Sequence, residues 1–245
     1  MTDRLKERFY PESRFGGFTD IDGTVAFYLR VNALAASKDV VLDFGCGQGT
    51  HANDPVPIRL GLRVLKGKVS KVIGVDVDAR AAENPFLDEF RPLRPGDGWP
   101  ADAGAVDLVL CDNVLEHLPD PASFFREARR VLRPGGYLCI RTPNVFSYFG
   151  LAARLVPNAR HEAVLKVAQR GREDCFPTLY RSNTVWALRR MMRRHGFDHV
   201  VYGYEAEPSY LHFSRLAYAL GVLHQRFAPG AIRPAIFAFG RLVQS

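Results

Sequence analysis

Three glycines follow an apolar run in the stretch VVLDFGCGQG, residues 40–49. Gly45, Gly47 and Gly49 are spaced by two, and Asp43 lies two residues ahead of the first. An apolar run that ends in glycines predicts a buried parallel strand and a tight turn, where backbone N–H groups can approach a ligand. The G-x-G-x-G spacing differs from the G-x-G-x-x-G of nicotinamide and flavin sites, and no lysine or serine follows as in a P-loop. The pattern predicts a cofactor loop of another kind.

A second acid ends the next apolar run, KVIGVD at residues 71–76. In nucleotide-binding α/β sheets, a carboxylate at the tip of the strand after the glycine loop accepts the ribose hydroxyls of the cofactor. The pair of Gly45 and Asp76 therefore predicts a cofactor with a ribose.

Polar residues also follow the predicted fourth strand, residues 106–111; they are Asp112, Asn113, Glu116 and His117. Ligands of open α/β sheets bind outside the carboxyl ends of the strands, so these side chains are expected near the reacting groups. Histidine can accept a proton near neutral pH, which makes His117 a candidate general base or orienting group, with Glu116 or Asn144 assisting. In the alternative interpretation, His117 only holds the loop over the cofactor.

Four segments in this order, DFGCGQG, GVDVD, CDNVLEHLPDP and VLRPGGYL, resemble the class I S-adenosylmethionine-dependent methyltransferases, in the small-molecule branch with a VLEH-type motif. The resemblance covers roughly residues 38–145 by motif. It implies a Rossmann-like α/β fold with a seven-stranded mixed sheet in the order 3-2-1-4-5-7-6, strand 7 antiparallel, and helices on both faces. It also implies S-adenosyl-L-methionine as the cofactor.

The cofactor-binding residues that this resemblance implies are Asp43, Gly45, Cys46, Gly47, Gly49, Asp76, Val77, Asp112 and Asn113. Either Asp97 or Trp99 could contact the adenine; the alternatives are an exposed turn acid and a packing indole. Methyl transfer from a sulfonium is an in-line displacement that needs positioning, so neither a metal nor a covalent nucleophile is expected. A base is needed only where the acceptor must lose a proton.

Helix signals surround these motifs. Asp22 is expected to cap a helix that begins at Gly23, and Asp120 to cap one that begins at Pro121. Prolines at 55 and 57 delay the helix after the glycine loop to about Pro57, which leaves contacts from residues 50–56 unassigned. Asn183 is the expected cap of a further helix. The predicted helix at residues 210–227 carries one apolar stripe, formed by Phe213, Leu216, Leu220, Leu223 and Phe227.

We expect a single methyltransferase domain, residues 1–245, with two additions. Residues 1–22 have no hydrophobic period and are expected to form an N-terminal arm. Residues 145–182, rich in aromatics and arginine, are expected to form a substrate-side lid, because material after the fifth strand builds the acceptor pocket in the family that this chain resembles.

The chain carries a net charge of +7 and has a pI of about 9.4, which favours anionic partners. The arginines of residues 189–194 oppose a helix dipole, which argues against nucleic acid. The expected partner is a small-molecule or lipid-linked acceptor, with peripheral contact to an anionic membrane face. The four cysteines have no paired spacing, and no leader or long apolar run occurs, so the expected location is cytoplasmic, or peripheral at the inner membrane face.

The most direct interpretation is a methyltransferase acting on a small molecule, a glycan or a lipid. The alternatives are a non-catalytic module that binds the same cofactor, and a nucleotide-dependent oxidoreductase, which the glycine spacing disfavours. The motifs leave open whether the acceptor atom is oxygen, nitrogen or carbon.

Overall fold

The computed structural model describes residues 2–94, 96–148 and 177–243 and contains one seven-stranded sheet. Its strands are β1 Val40–Phe44, β2 Lys71–Asp76, β3 Glu89–Pro92, β4 Val106–Asp112, β5 Leu132–Pro143, β6 Phe197–Tyr204 and β7 Ala235–Leu242. The order is β3-β2-β1-β4-β5-β7-β6. Strands β1 to β5 pair in parallel, whereas β7 is antiparallel to both β5 and β6. The predicted fold class and strand order are confirmed.

Helices pack on both faces of the sheet. The α-helices of the described residues are α1 Thr2–Phe9, α2 Gly23–Leu34, α3 Pro57–Arg63, α4 Pro121–Val131, α5 Val185–Arg194 and α6 Arg215–Phe227. One face buries Phe27 and Val31 of α2 against Val41 and Leu108. The other buries α4 and α5 against Leu42 and neighbouring strand residues. Because successive strand residues point to opposite faces, each central strand supplies side chains to both cores.

Side-chain caps begin two of these helices as predicted. The Asp22 carboxylate accepts hydrogen bonds from the backbone N–H groups of Thr24 and Val25, at 2.9 and 3.0 Å. Asp120 caps α4 in the same way. Helix α3 begins at Pro57, where the missing N–H of proline costs nothing in the first turn.

Three local predictions are corrected by the structure. Thr184, not Asn183, caps α5; the buried Asn183 amide instead donates to the Thr142 hydroxyl at 2.6 Å. Helix α6 begins at Arg215 and not at residue 210, because Ser214 accepts the capping hydrogen bond. The N-terminal arm contains helix α1, for which the sequence showed no clear period. The expected lid falls largely outside the described residues.

Candidate functional site

The glycine loop after β1 is held by backbone hydrogen bonds to the tip of β2. The Gly45 N–H donates to the Val75 carbonyl at 2.7 Å, and the Gly47 N–H donates to Asp76 Oδ2 at 2.9 Å. Gly45, Gly47 and Gly49 all have positive φ, a conformation that side-chain-bearing residues rarely adopt. The two sequence motifs are therefore one structural unit.

The side chain of Asn84 holds the glycine loop in place through hydrogen bonds to its backbone. Its buried side-chain amide donates to the Cys46 and Gly47 carbonyls at 3.1 and 3.0 Å. A Cβ at Gly49 would lie 2.6 Å from the Asn84 amide oxygen, so glycine is required there by space as well as by φ. Nothing in the local sequence around Asn84 distinguishes it from a turn residue, so its contact with the glycine loop could not be predicted from the sequence.

Asp76 lies at the open end of β2. Its Oδ1 accepts the Asp78 N–H at 2.9 Å, and Oδ2 accepts the Gly47 N–H. A carboxylate has about four acceptor positions, so both oxygens can accept further hydrogen bonds. The next residue, Val77, is exposed.

Strand alternation places several of the predicted residues on the α2 side of the sheet. Asp43 follows Val41 on that face, and Asp112 follows Leu110. Burial raises the pKa of Asp43 to about 7, with the nearby charge of Asp112 adding to the shift and that of Arg63 opposing it. Asp43 is therefore a carboxyl that ionises near neutral pH.

Asp112 forms an ion pair with Arg141, its register partner on β5. The guanidinium donates to both carboxylate oxygens at 2.6 Å, and the Tyr28 hydroxyl of α2 donates to Oδ2 at 2.9 Å. The Asn113 side chain supplies a fourth hydrogen bond. Burial alone would raise the pKa of Asp112, but the charge and hydrogen bonds of Arg141 outweigh it and hold the pKa below its usual value.

These contacts change how Asp112 and Asn113 are understood. The acceptor positions of Asp112 are taken up within the protein, so its contribution at this site is to hold β4, β5 and α2 together. Asn113 has a φ of +55°, and its N–H donates to the Arg141 carbonyl at 2.8 Å. The chain thus turns sharply at the end of β4. No motif in the sequence pointed to Arg141.

The loop after β4 packs directly on the glycine loop. A Cβ at Gly45 would collide with the Val114 side chain, which shows how closely the two segments approach. The start of the segment NVLEH, residues 113–117, therefore lies beside the glycine loop.

Glu116 and His117 hold the chain at residues 177–180. The Glu116 carbonyl accepts the N–H groups of Leu179 and Tyr180 at 2.7 and 3.1 Å. His117 Nδ1 lies 3.1 Å from the Pro177 carbonyl. Because a carbonyl only accepts, Nδ1 is the donor in this contact, and Nε2 lies 3.8 Å from Glu116 Oε1.

The remaining polar candidates have structural contacts. The buried Glu116 carboxyl accepts the Thr142 hydroxyl at 2.9 Å, and burial raises its pKa. Asn144 is buried and donates to the Ala231 and Arg233 carbonyls at 2.8 and 2.9 Å. Trp99 stacks on Phe44 within the core, with 4.5 Å between ring centroids, as the packing interpretation expected.

A pocket beside the glycine loop contains two further polar side chains, His51 and Arg63, which the sequence analysis did not assign. The Arg63 guanidinium lies 5.8 Å from the centroid of the Tyr28 ring. The His51 ring stacks on Phe86, with 4.5 Å between centroids. Burial, together with the charge of Arg63, lowers the pKa of His51 to about 4, so the ring is neutral at pH 7.

A sheet of this order, with a glycine loop after its first strand and an acid ending the second, defines the class I S-adenosylmethionine-dependent methyltransferases. The chain belongs to the methyltransferase-domain family Methyltransf_23, whose model matches residues 20–202.

Curated relatives share this class. A ubiquinone biosynthesis O-methyltransferase of Xanthomonas oryzae pv. oryzae is 30% identical over 145 residues, which are 54% of this chain and 60% of the relative. One from Cupriavidus pinatubonensis is 29% identical over 164 residues, or 67% and 63% of the two chains. The chain thus spans less than two thirds of the length of these relatives.

Solved structures support the fold. A SAM-dependent methyltransferase from Aquifex aeolicus matches with a TM-score of 0.51 and 16% identity, covering 99% of both chains. Geranyl diphosphate C-methyltransferase from Streptomyces coelicolor, solved with S-adenosyl-L-homocysteine, matches with a TM-score of 0.53 and 17% identity, covering 89% of this chain and 77% of that one.

Proposed function

We propose that the protein transfers a methyl group from S-adenosyl-L-methionine to a small-molecule, glycan or lipid acceptor. The observation that carries the proposal is the junction of the glycine loop with Asp76, fixed by the hydrogen bond from Gly47 to the carboxylate. Family membership favours this function over the oxidoreductase alternative.

The residues present fit the cofactor. Asp76 has acceptor capacity for two ribose hydroxyls, beside Val77. The loop of Gly45, Cys46, Gly47 and Gly49 offers backbone for the methionine part, and Asp43 beside it is suited to the ammonium group. Asp112 and Asn113 would act by fixing the loop that faces the methyl group.

The bound cofactor supplies an activated methyl group, so the chain must hold and align the acceptor. We propose that His117 acts from the side of the NVLEH loop, with Nε2 as the nitrogen that accepts a proton where the acceptor has one to lose. Its contact with the Pro177 carbonyl also supports the positioning alternative, and the two roles are separable by mutation.

We further propose that the acceptor is reached at an anionic lipid surface. Six large apolar side chains on α6 and the turn before it are each more than half exposed: Tyr210, Phe213, Leu216, Leu220, Leu223 and Phe227. The opposite side of α6 is buried through Tyr218, Gly221 and Val222. Amphipathic helices with this kind of face bind in the membrane interface.

The charge around α6 favours an anionic lipid surface over a neutral one. Residues 208–245 contain four arginines and no acidic residue, and exposed Arg215 and Arg226 flank the apolar face. Basic residues near anionic lipid contribute about 1 kcal/mol each. Among the described residues, no helix has the length and hydropathy needed to cross a bilayer. Most of the arginine- and aromatic-rich segment 145–182 lies outside the described part of the chain.

Flotation with vesicles tests the lipid proposal. We expect more protein to float with phosphatidylglycerol-containing vesicles than with neutral ones, and less at high salt. The double variant Leu216→Glu/Leu220→Glu should lose flotation, whereas Leu29→Glu, at an exposed leucine on α2, should keep it. Equal flotation with neutral and anionic vesicles would reject the proposal.

The activity itself is tested by incubating the protein with cofactor labelled in the methyl group and a cell extract, followed by mass spectrometry. A labelled product that requires the protein and is lost in Asp76→Ala supports transfer. Binding of S-adenosyl-L-homocysteine without any labelled product from extract or membrane fractions would favour the non-catalytic alternative.

A further inference from the structure

The chain departs from a simple strand, loop and helix after the glycine loop. A short 3-10 turn at Thr50–Asn53 and the late start of α3 replace one continuous helix. This arrangement brings His51 and Arg63 into a single pocket wall with Tyr28, Asp43, Gly45 and Phe86. The wall adjoins the loop that we propose binds the methionine part of the cofactor.

Arg63 differs from its neighbours in how it is paired. Arg59, one turn earlier on α3, bonds the Asp54 carboxylate at 2.6 Å and Asp22 at 3.0 Å. Arg141 is paired with Asp112. Arg63 Nε is buried and has no hydrogen-bond partner among the described residues, and the same is true of His51 Nε2. Buried polar atoms without partners are rare in folded proteins, and here two of them, Arg63 Nε and His51 Nε2, line the same pocket, where a ligand atom can satisfy them.

The pocket combines opposite charges. Asp43 presents a carboxyl to the same pocket as Arg63, whose charge opposes the burial that raises the pKa of this carboxyl. An α-amino acid carries an ammonium and a carboxylate on one carbon, so a receptor for it needs an acidic group and a donor group side by side. A guanidinium is suited to a carboxylate because its planar fork of N–H groups can form two parallel hydrogen bonds.

We propose that Arg63, assisted by His51, binds the carboxylate of the methionine part of S-adenosyl-L-methionine, while Asp43 receives the ammonium. This inference rests on the proposed function and assigns two positioning residues that the motifs do not contain. The neutral His51 ring adds a donor in the tautomer with the proton on Nε2.

Three ligands separate this role from general cofactor binding. S-adenosyl-L-methionine has both charged groups of the amino acid, its decarboxylated form lacks only the carboxylate, and 5′-methylthioadenosine lacks both. Calorimetry at pH 8 keeps Asp43 ionised. The wild-type protein should bind the complete cofactor roughly 10- to 100-fold more tightly than the decarboxylated form, as expected for charge-assisted hydrogen bonds.

The variants are Arg63→Gln and Arg63→Lys, with Arg30→Gln, at an exposed arginine on α2, as the control. Arg63→Gln should lose most of the preference for the complete cofactor and bind 5′-methylthioadenosine as the wild type does. The preference of Arg63→Lys for the complete cofactor should lie between those of the wild type and Arg63→Gln, because lysine keeps the charge but lacks the planar fork of N–H groups. The control should match the wild type with all three ligands.

Other outcomes would overturn the inference. If the wild-type protein binds the complete and decarboxylated forms with equal affinity, it has no binding site for the carboxylate. If both Arg63 variants bind all three ligands more weakly by the same factor, Arg63 is a purely structural residue. If the wild type binds none of the three, the proposed function fails as well, so the two failures are distinguishable.

Discussion

Replacing Asp43 with asparagine should stabilise the protein while weakening its cofactor site. The pKa of Asp43 is raised by burial from its ordinary value of 3.8 to about 7. Between these values the folded state binds more protons than the unfolded state, so the stability contributed by this group falls as the pH rises from about 4 to 7. A shift of roughly three units corresponds to about 4 kcal/mol as an upper limit above pH 7.

Asp43→Asn removes this cost, because the amide cannot ionise. At 2–4 °C per kcal/mol for a chain of this size, the variant should melt up to roughly 8–16 °C above the wild type at pH 8. The difference should shrink toward zero as the pH falls to about 4 and below, because the unfolded-state carboxyl, with an ordinary pKa of 3.8, then becomes protonated as the folded-state carboxyl already is. Thermal unfolding at intervals between pH 4 and 8 measures it, with the exposed Asp97→Asn as the control.

Ligand affinity should change in the opposite direction. If the ionised carboxylate pairs with the ammonium of S-adenosyl-L-homocysteine, only about a tenth of the wild-type protein is competent at pH 6, so affinity should fall roughly tenfold from pH 8 to 6. Asp43→Asn should bind weakly at both values. A variant less stable than the wild type at pH 8, or wild-type affinity independent of pH, would refute the reasoning.

Two further predictions concern the end of β4. Arg141→Met leaves the Asp112 carboxylate buried and uncompensated and should lower the free energy of unfolding by about 3–5 kcal/mol, whereas the double variant Arg141→Met/Asp112→Leu should recover most of this loss. Urea titrations measure both variants. If the single and double variants lose the same free energy of unfolding, the ion-pair argument is wrong. His117→Ala should lower turnover by a factor on the order of 10² to 10⁴ and remove the acidic limb of the pH profile at unchanged cofactor affinity. His117→Asn retains a donor for the Pro177 carbonyl, so recovery of activity in that variant would instead identify a positioning residue.

Much of the sheet and its ligand edge could be predicted, because the information is local. The apolar runs before Gly45 and up to Asp76 and Asp112 fix where strands stop, and parallel strands bring those ends to one edge. The cap at Asp22 and the start of α3 at Pro57 follow from short-range hydrogen bonding in the same way.

The partners of these residues could not be predicted, because they depend on packing between distant segments. Arg141 meets Asp112 only through the register of β5 on β4, and Asn84 reaches the glycine loop from a turn 35 or more residues later. Helix α6 shows a related limit. Its pattern identifies an apolar stripe, yet the structure buries the opposite side through Tyr218, whose hydroxyl donates to Glu207 at 2.6 Å.

The contact between Gly45 and Val114 bears on how this protein could be redesigned. Segment 113–117 would be an obvious target for libraries aimed at new acceptors, since it lies beside the proposed methyl position. Because Val114 rests where a Cβ of residue 45 would be, a bulkier residue at 114 must push on the cofactor loop itself. Substitutions at position 114 that admit new acceptors would therefore also weaken cofactor binding. Libraries should keep Val114 and vary the neighbouring positions.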